Sequence, residues 1–273
     1  MPIFLDKREI VDRLGGEFRA LAALCSALTE AQWEVATCLP GWTVRDVLSH
    51  VIGTEATLSG EPAPDLEVAH LDHIKNPIGE RNERWVESMR TLSGDQMLAR
   101  FDDVTSGRMA SLEAMSQAEF DAPSWTPTGR DDTYGRFMRI RHFDCYVHEH
   151  DIRGAVGIPP REDVADLGFA TDEAAAGLGY VVGRKASMPD GARVQIQLTG
   201  PLHRTFSVAV DGRAAVVDAF DRPPTVGVSM PASLFLRLIA GRDDRLVDLD
   251  DRIRYTGDRS LGEQLVTNLA FTI

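Results

Sequence analysis

Apolar residues recur at three- and four-residue spacing through most of the first 187 positions and alternate in short runs after that. The first period belongs to amphipathic helices, the second to half-buried strands. Val11, Leu14, Phe18, Leu21, Cys25 and Leu28 predict an opening helix, with Asp6 as its start signal. Thr29 to Trp33 reads as a short capped turn and Pro40-Gly41 as a tight one. Thr43 with Asp46 three residues on has the form of a capping box. Val44, Val47, Leu48, Val51 and Ile52 predict the apolar face of the helix it opens, with His50 at the border of that face. Residues 59–78 hold three prolines together with His70 and His73, and read as an ordered loop. The helical period returns over 79–89 and 95–115, gives way to a loop over 121–132, and resumes over 139–153 and 171–187. Gly154 and Gly157 end the first of these last two helices.

Beyond residue 188 the period is that of strands. Val194–Leu198 and Phe206–Val210 alternate, Asp211-Gly212 signals a hairpin turn, and Val226–Met230 is a third strand. Pro231 opens a helix through Phe235 and Leu238 to Gly241, and Ile253–Tyr255 and a helix from Ser260 to Asn268 follow. The fold class expected is α+β: an all-helical domain over residues 1–187, then a small α+β domain over 188–273.

Arg139 to Arg153 carries the chemistry. Phe137, Ile140, Phe143 and Val147 share one helical face, and Asp144 and His148 fall within it, four residues apart. A carboxylate and an imidazole aimed at a core must be paired, hydrogen-bonded or bound to a cation. One reading is a buried Asp–His hydrogen bond that sets helix register. The sharper one is a pair of ligands for a divalent ion, with zinc or nickel matching the donor types. A third ligand must then come from elsewhere; His50 is the first candidate, with His70 and His73 in reserve. Asp151 lies on the same inward face and is placed to orient His148 or an arginine. His142 and His150 point away and read as solvated or locally bonded.

Composition bounds the rest. A 273-residue chain, 43% hydrophobic and 26% charged, is globular. A net charge of -13 without a basic block argues against nucleic-acid or anionic-membrane partners. Three cysteines without paired spacing (Cys25, Cys38, Cys145) suit a reducing compartment and read as packing residues. With no basic-then-apolar leader and no apolar run near 20 residues, the expected location is the cytoplasm. GxSxG, P-loop and GxGxxG motifs are absent.

Four blocks carry a resemblance. They are Cys38-Leu-Pro-Gly-Trp-Thr-Val-Arg-Asp-Val-Leu-Ser-His50, Trp125-Thr-Pro127, Arg141-His-Phe-Asp-Cys-Tyr-Val-His-Glu-His-Asp-Ile-Arg153, and Gly257 to Glu263 with Asn268 to Phe271. Together the blocks resemble the mycothiol-dependent maleylpyruvate isomerase family, a branch of the DinB-like metal-binding bundles. The resemblance implies an N-terminal DinB-like four-helix bundle and a sterol-carrier-like C-terminal domain. It also implies a metal held by His50, Asp144 and His148, with Asp144 one methylene shorter than the glutamate of the family pattern. Mycothiol is implied as thiol cosubstrate, and the implied activity is isomerisation or S-transfer on a small electrophilic metabolite or xenobiotic.

A divalent cation in an open site lowers the pKa of a thiol, and thiolate addition to an activated double bond permits cis–trans isomerisation. Arg237 and Arg242 are candidate anchors for an acidic substrate, since arginine binds carboxylates through two parallel bonds; each is otherwise an ordinary surface residue near a helix end. The competing expectation is a non-catalytic metal-binding protein whose C-terminal domain holds a small apolar ligand or a partner. The oligomeric state is not legible.

Overall fold

The computed structural model describes residues 2–68, 71, 73–128, 131–242 and 249–272, without the side chains of 249 and 250. His70 therefore lies outside the described residues. The chain forms two compact units, Met1–Pro160 and Arg161–Ile273. They divide earlier than the change of period near 188, because the next long helix packs against a later helix of the second unit and pairs Asp172 with Arg204.

In the first unit, helices α1 (Lys7–Ser26), α2 (Glu30–Trp33), α3 (Val44–Leu58), α4 (Pro77–Met89), α5 (Gly94–Ala114) and α6 (Gln117–Asp121) precede a two-stranded antiparallel hairpin. The hairpin is β1 (Pro123–Trp125) and β2 (Asp131–Thr133), and α7 (Tyr134–Ala155) follows it. The start signals act as read. Asp6 accepts from Glu9 N–H, and Thr43 and Asp46 cap each other reciprocally. Asn76 with Pro77 starts α4 two residues before the expected position, since proline at the first helical residue costs no hydrogen bond. The segment expected as a loop over 121–132 instead holds the end of α6 and the hairpin. Asp132 anchors it, accepting from Ile3 N–H at 2.6 Å and from Arg136 Nη1 at 2.7 Å.

Helix α7 departs most from the one-face reading. It packs against α1, α3, α6 and both hairpin strands, so nearly its whole circumference is buried. Ile140 is only half-buried, whereas Arg139, Arg141, His142, Glu149 and His150 are buried. His142 and His150 are thus not solvated. His150 keeps the local bond expected of it, its Nδ1 lying 2.7 Å from the Tyr146 carbonyl oxygen. Burial of so many charges is possible because they pair: Arg136 with Asp132, Arg153 with Glu149, and Arg141 with two carboxylates.

The second unit opens with α8 (Val164–Ala176), capped by Asp163, then a short turn α9 (Leu178–Tyr180) running into a π turn at Val181–Lys185. Helix therefore begins seven residues before the expected Thr171 and loosens before Ser187. Strands β3 (Arg193–Thr199), β4 (Arg204–Asp211), β5 (Arg213–Val217), β6 (Val226–Pro231) and β7 (Arg254–Gly257) make one sheet ordered β5-β4-β3-β6-β7. β3 and β6 are parallel and the other pairs antiparallel. Val194, Ile196 and Leu198 are buried along β3, the alternation that marked it as a strand. β5 completes the hairpin turned at Gly212. The π turn covers β5 closely: a Cβ on Gly183 would lie 2.9 Å from that of Ala214. α10 (Ala232–Ile239), α11 (Leu249–Arg252) and α12 (Arg259–Thr267) complete the unit. Among the described residues no helix is long and apolar enough to cross a membrane.

Candidate metal centre

Helices α3 and α7 pack together and bring His50 opposite Asp144 and His148. The three offer ligand atoms that all lie within 4.8 Å of one another. His50 Nε2 is 3.4 Å from Asp144 Oδ2, and His148 Nε2 is 3.6 Å from Asp144 Oδ1. Donors about 2.0–2.1 Å from a tetrahedral zinc ion stand roughly 3.3–3.5 Å apart; the two imidazole–carboxylate spacings approach this, each through a different Asp144 oxygen, and the donor types suit a divalent transition ion. Both histidines are buried, and the carboxylate is 31% exposed. Access is therefore through Asp144.

The surroundings fix the ligands. Asp151, buried, places Oδ2 3.1 Å from His148 Nδ1, the outer-shell contact that orients a ligating imidazole. The Cys38 thiol donates to Asp151 Oδ1 at 3.2 Å, a link that sequence spacing did not show. His50 Nδ1 is buried with no protein hydrogen-bond partner among the described residues; its ring is held by packing. The two imidazole centroids are 4.8 Å apart, and Trp42 lies 5.4 Å from the first and 6.5 Å from the second.

Trp42 is itself held by a buried carboxylate. Its Nε1 donates to Glu83 Oε2 at 3.0 Å, and the Arg90 guanidinium donates to Glu83 Oε1 at 3.0 Å. His73 Nε2 lies 3.0 Å from the same Oε2. His73 is therefore a partner of Glu83 and not one of the three grouped donors. Gly41, at φ +79°, makes the turn that delivers Trp42; a Cβ there would be strained and 3.1 Å from the His73 ring.

Electrostatics prepare the donors. Burial alone would raise the Asp144 carboxyl, but Arg141, His148 and His50 outweigh it and hold it well below the usual carboxylate range. Burial lowers the His50 imidazole against the opposing pull of Asp144. The carboxylate is thus ionised and His50 neutral at neutral pH, the forms a metal needs. Two of the chain's own thiols are unsuited to nucleophilic work. Burial, with Glu149 adding to it, pushes Cys25 up to about 12, and burial raises Cys145 well above its ordinary value despite Arg141.

Sequence reasoning missed the charges behind the site. Glu55, on α3 and fully buried, accepts from Arg141 Nε at 2.7 Å and from Arg108 Nε at 3.1 Å. A glutamate within an apolar helical face, five residues after His50, was the available signal. Arg237 and Arg242 lie in the second unit at the C-terminal end of α10, where Arg242 donates to the Ala240 carbonyl.

A helical unit with a His–Asp–His constellation, followed by an α+β unit, defines a class of two-domain bundle proteins with a candidate metal centre. The Mycothiol maleylpyruvate isomerase N-terminal domain model matches residues 14–153 and the MDMPI C-terminal domain model residues 169–264. The chain belongs to the mycothiol-dependent maleylpyruvate isomerase family. A crystal structure of the mycothiol-dependent maleylpyruvate isomerase is similar at TM-score 0.60 and 18% identity, with 94% of this chain and 96% of that chain covered. A histidine-to-alanine mutant of that isomerase gives TM-score 0.58 and 17% identity over the same shares. At such identity the likeness establishes the shared fold. No curated protein matches the chain.

Proposed function

We propose that this chain is a metal- and thiol-dependent isomerase or S-transferase acting on a small electrophilic molecule, with mycothiol as the thiol. Family membership supports the reaction class, and one observation supports the metal: two imidazoles and an ionised carboxylate from two helices, with ligand atoms all within 4.8 Å of one another. Three protein donors leave a position for water, thiol or substrate, the arrangement of a catalytic rather than a structural centre. Zinc suits the donor set best, nickel next.

When bound, such an ion supplies Lewis acidity, which favours thiolate at neutral pH and polarises a carbonyl. The chain's residues do the rest. His50, Asp144 and His148 hold the ion, and Asp151 keeps the His148 Nδ1 proton, so that Nε2 presents its lone pair. Trp42 walls one side with an apolar face and limits water. Asp144, the exposed member, stands where a substrate enters. Burial keeps Cys25 and Cys145 protonated, which removes those two as the attacking sulfur, and the thiol proposed is external. Arg237 and Arg242 are the proposed holders of a substrate carboxylate, so replacing both with Ala should raise KM for acidic substrates and leave metal content unchanged.

Elemental analysis tests the reading first. Near-stoichiometric zinc or nickel is expected in the parent and none in the Asp144→Ala/His148→Ala variant. A parent that lacks metal and refuses added zinc refutes it. Turnover of maleylpyruvate-like and electrophilic substrates that requires added mycothiol separates an enzyme from a non-catalytic metal binder.

A further inference from the structure

Asp144 is the least buried of the three grouped donors and the shortest, yet its carboxylate is bound at a definite place. Arg141, one helical turn earlier, donates from Nη1 to Oδ2 at 2.5 Å. The other oxygen, Oδ1, is the one nearer His148 Nε2. Arg141 is not free to follow Asp144 if the carboxylate swings. Its Nε is tied to Glu55 Oε1 at 2.7 Å, and Nη2 reaches Cys145 Sγ at 3.6 Å. Glu55 is fully buried, with its second oxygen taken by Arg108 of α5, and Arg108 Nη2 donates to the Tyr134 hydroxyl at 2.6 Å.

The chain of contacts thus runs Tyr134–Arg108–Glu55–Arg141–Asp144 and joins α5, α3 and α7. It ends on a donor of the candidate centre and starts from groups that do not touch it. Because Glu55 and His50 share α3, the Glu55–Arg141 bond also sets the register in which His50 meets α7.

We infer that Arg141, anchored by Glu55, is the positioning residue of the metal centre: it clamps Asp144 Oδ2 so that the short carboxylate stays within reach of both imidazoles. The inference rests on the metal reading above. A lysine at 141 carries the same charge but a single ammonium, and cannot hold Glu55 and Asp144 through a planar fork. A guanidinium that merely neutralises buried charge would be replaced by lysine without consequence for the metal; a clamp would not.

The experiment compares zinc affinity, by competition with a chromophoric chelator, and the visible spectrum of the cobalt(II)-substituted protein. The chains compared are the parent, Arg141→Lys, Glu55→Gln and Gly53→Ala. Gly53→Ala serves as a destabilised control, because the three atoms nearest its added Cβ all belong to Trp85, which is no member of the clamp. Expected are affinity losses of roughly 10–100-fold for Arg141→Lys and Glu55→Gln, the range for loss of an outer-shell partner. Altered cobalt band positions and intensities accompany them, and both properties stay parental in Gly53→Ala. Should Arg141→Lys not fold, Glu55→Gln carries the same comparison. Parental affinity and spectrum in the Arg141 and Glu55 variants overturn the clamp while sparing the metal centre. A parent that binds neither zinc nor cobalt overturns the metal reading and the clamp with it.

Discussion

Replacing Glu55 with glutamine removes a carboxylate shared by two buried guanidiniums. Arg108 and Arg141 are each 4% exposed and donate to Glu55 at 3.1 and 2.7 Å. Glutamine keeps one acceptor oxygen but turns an amide NH2, a donor, toward one arginine, and it carries no charge. The two arginines are not left equally. Arg141 retains Asp144, whereas among the described residues Arg108 keeps the Tyr134 hydroxyl and the Met138 sulfur and no carboxylate. Breaking a buried ion pair from one side costs about 3–5 kcal/mol, because the remaining charge stays desolvated.

Domains unfold with about 5–15 kcal/mol in total, so the loss is a large share. For a unit of some 160 residues, 1 kcal/mol moves Tm by about 2–4 °C, which sets the expected drop at roughly 6–20 °C. Trp33, Trp42, Trp85 and Trp125 all lie in the first unit, so tryptophan fluorescence during thermal or urea unfolding follows that unit alone. Adding Arg108→Met, which removes the stranded charge with a side chain of similar length, should recover much of the loss. A Glu55→Gln shift below about 2 °C, or a double variant no better than the single, would refute the view that uncompensated charge dominates.

Three further outcomes are expected. Burial tends to raise the Asp132 carboxyl, but Arg136 and the Ile3 and Thr133 amides bring it below its ordinary value. A depressed folded pKa stabilises above the unfolded value and is lost as pH falls through the folded one. The urea midpoint of the parent should therefore exceed that of Asp132→Asn at pH 6 and converge toward it below about pH 4; a pH-independent gap contradicts this. Gly53→Ala would gain about 1 kcal/mol of helix propensity in isolation. A Cβ there stands 2.3 Å from Trp85 Cγ, so a net loss of about 1–3 kcal/mol is expected by urea unfolding, and a stabilised variant refutes the packing argument. In the native protein at pH 8, a thiol reagent should label Cys38 alone, and Cys38→Ser should abolish fast labelling, because Cys25 and Cys145 are buried and protonated. Fast reaction of two thiols in the native state contradicts it.

Short-range physics made much of this protein legible from its residues. Asp6, Thr43 and Asp46 cap helices because a side chain three residues from an orphan N–H finds it whatever the rest of the chain does. Val194, Ile196 and Leu198 mark β3 because alternation is a property of the strand itself. Asp144 and His148 stood out because four residues is one helical turn, and the structure brings His50 to them. What failed to show depends on which helices become neighbours. The solvated faces of α7 expected from His142 and His150 do not exist, since α1, α3, α6 and the hairpin surround that helix. Glu55, Arg108 and Arg141 are far apart in the chain; Glu55 stands out on an apolar helical face, but nothing in the sequence names the two arginines as its partners. A helix determines by itself which of its side chains lie together; only the packing of several helices decides which charges must pair across them, and so what holds Asp144 in place.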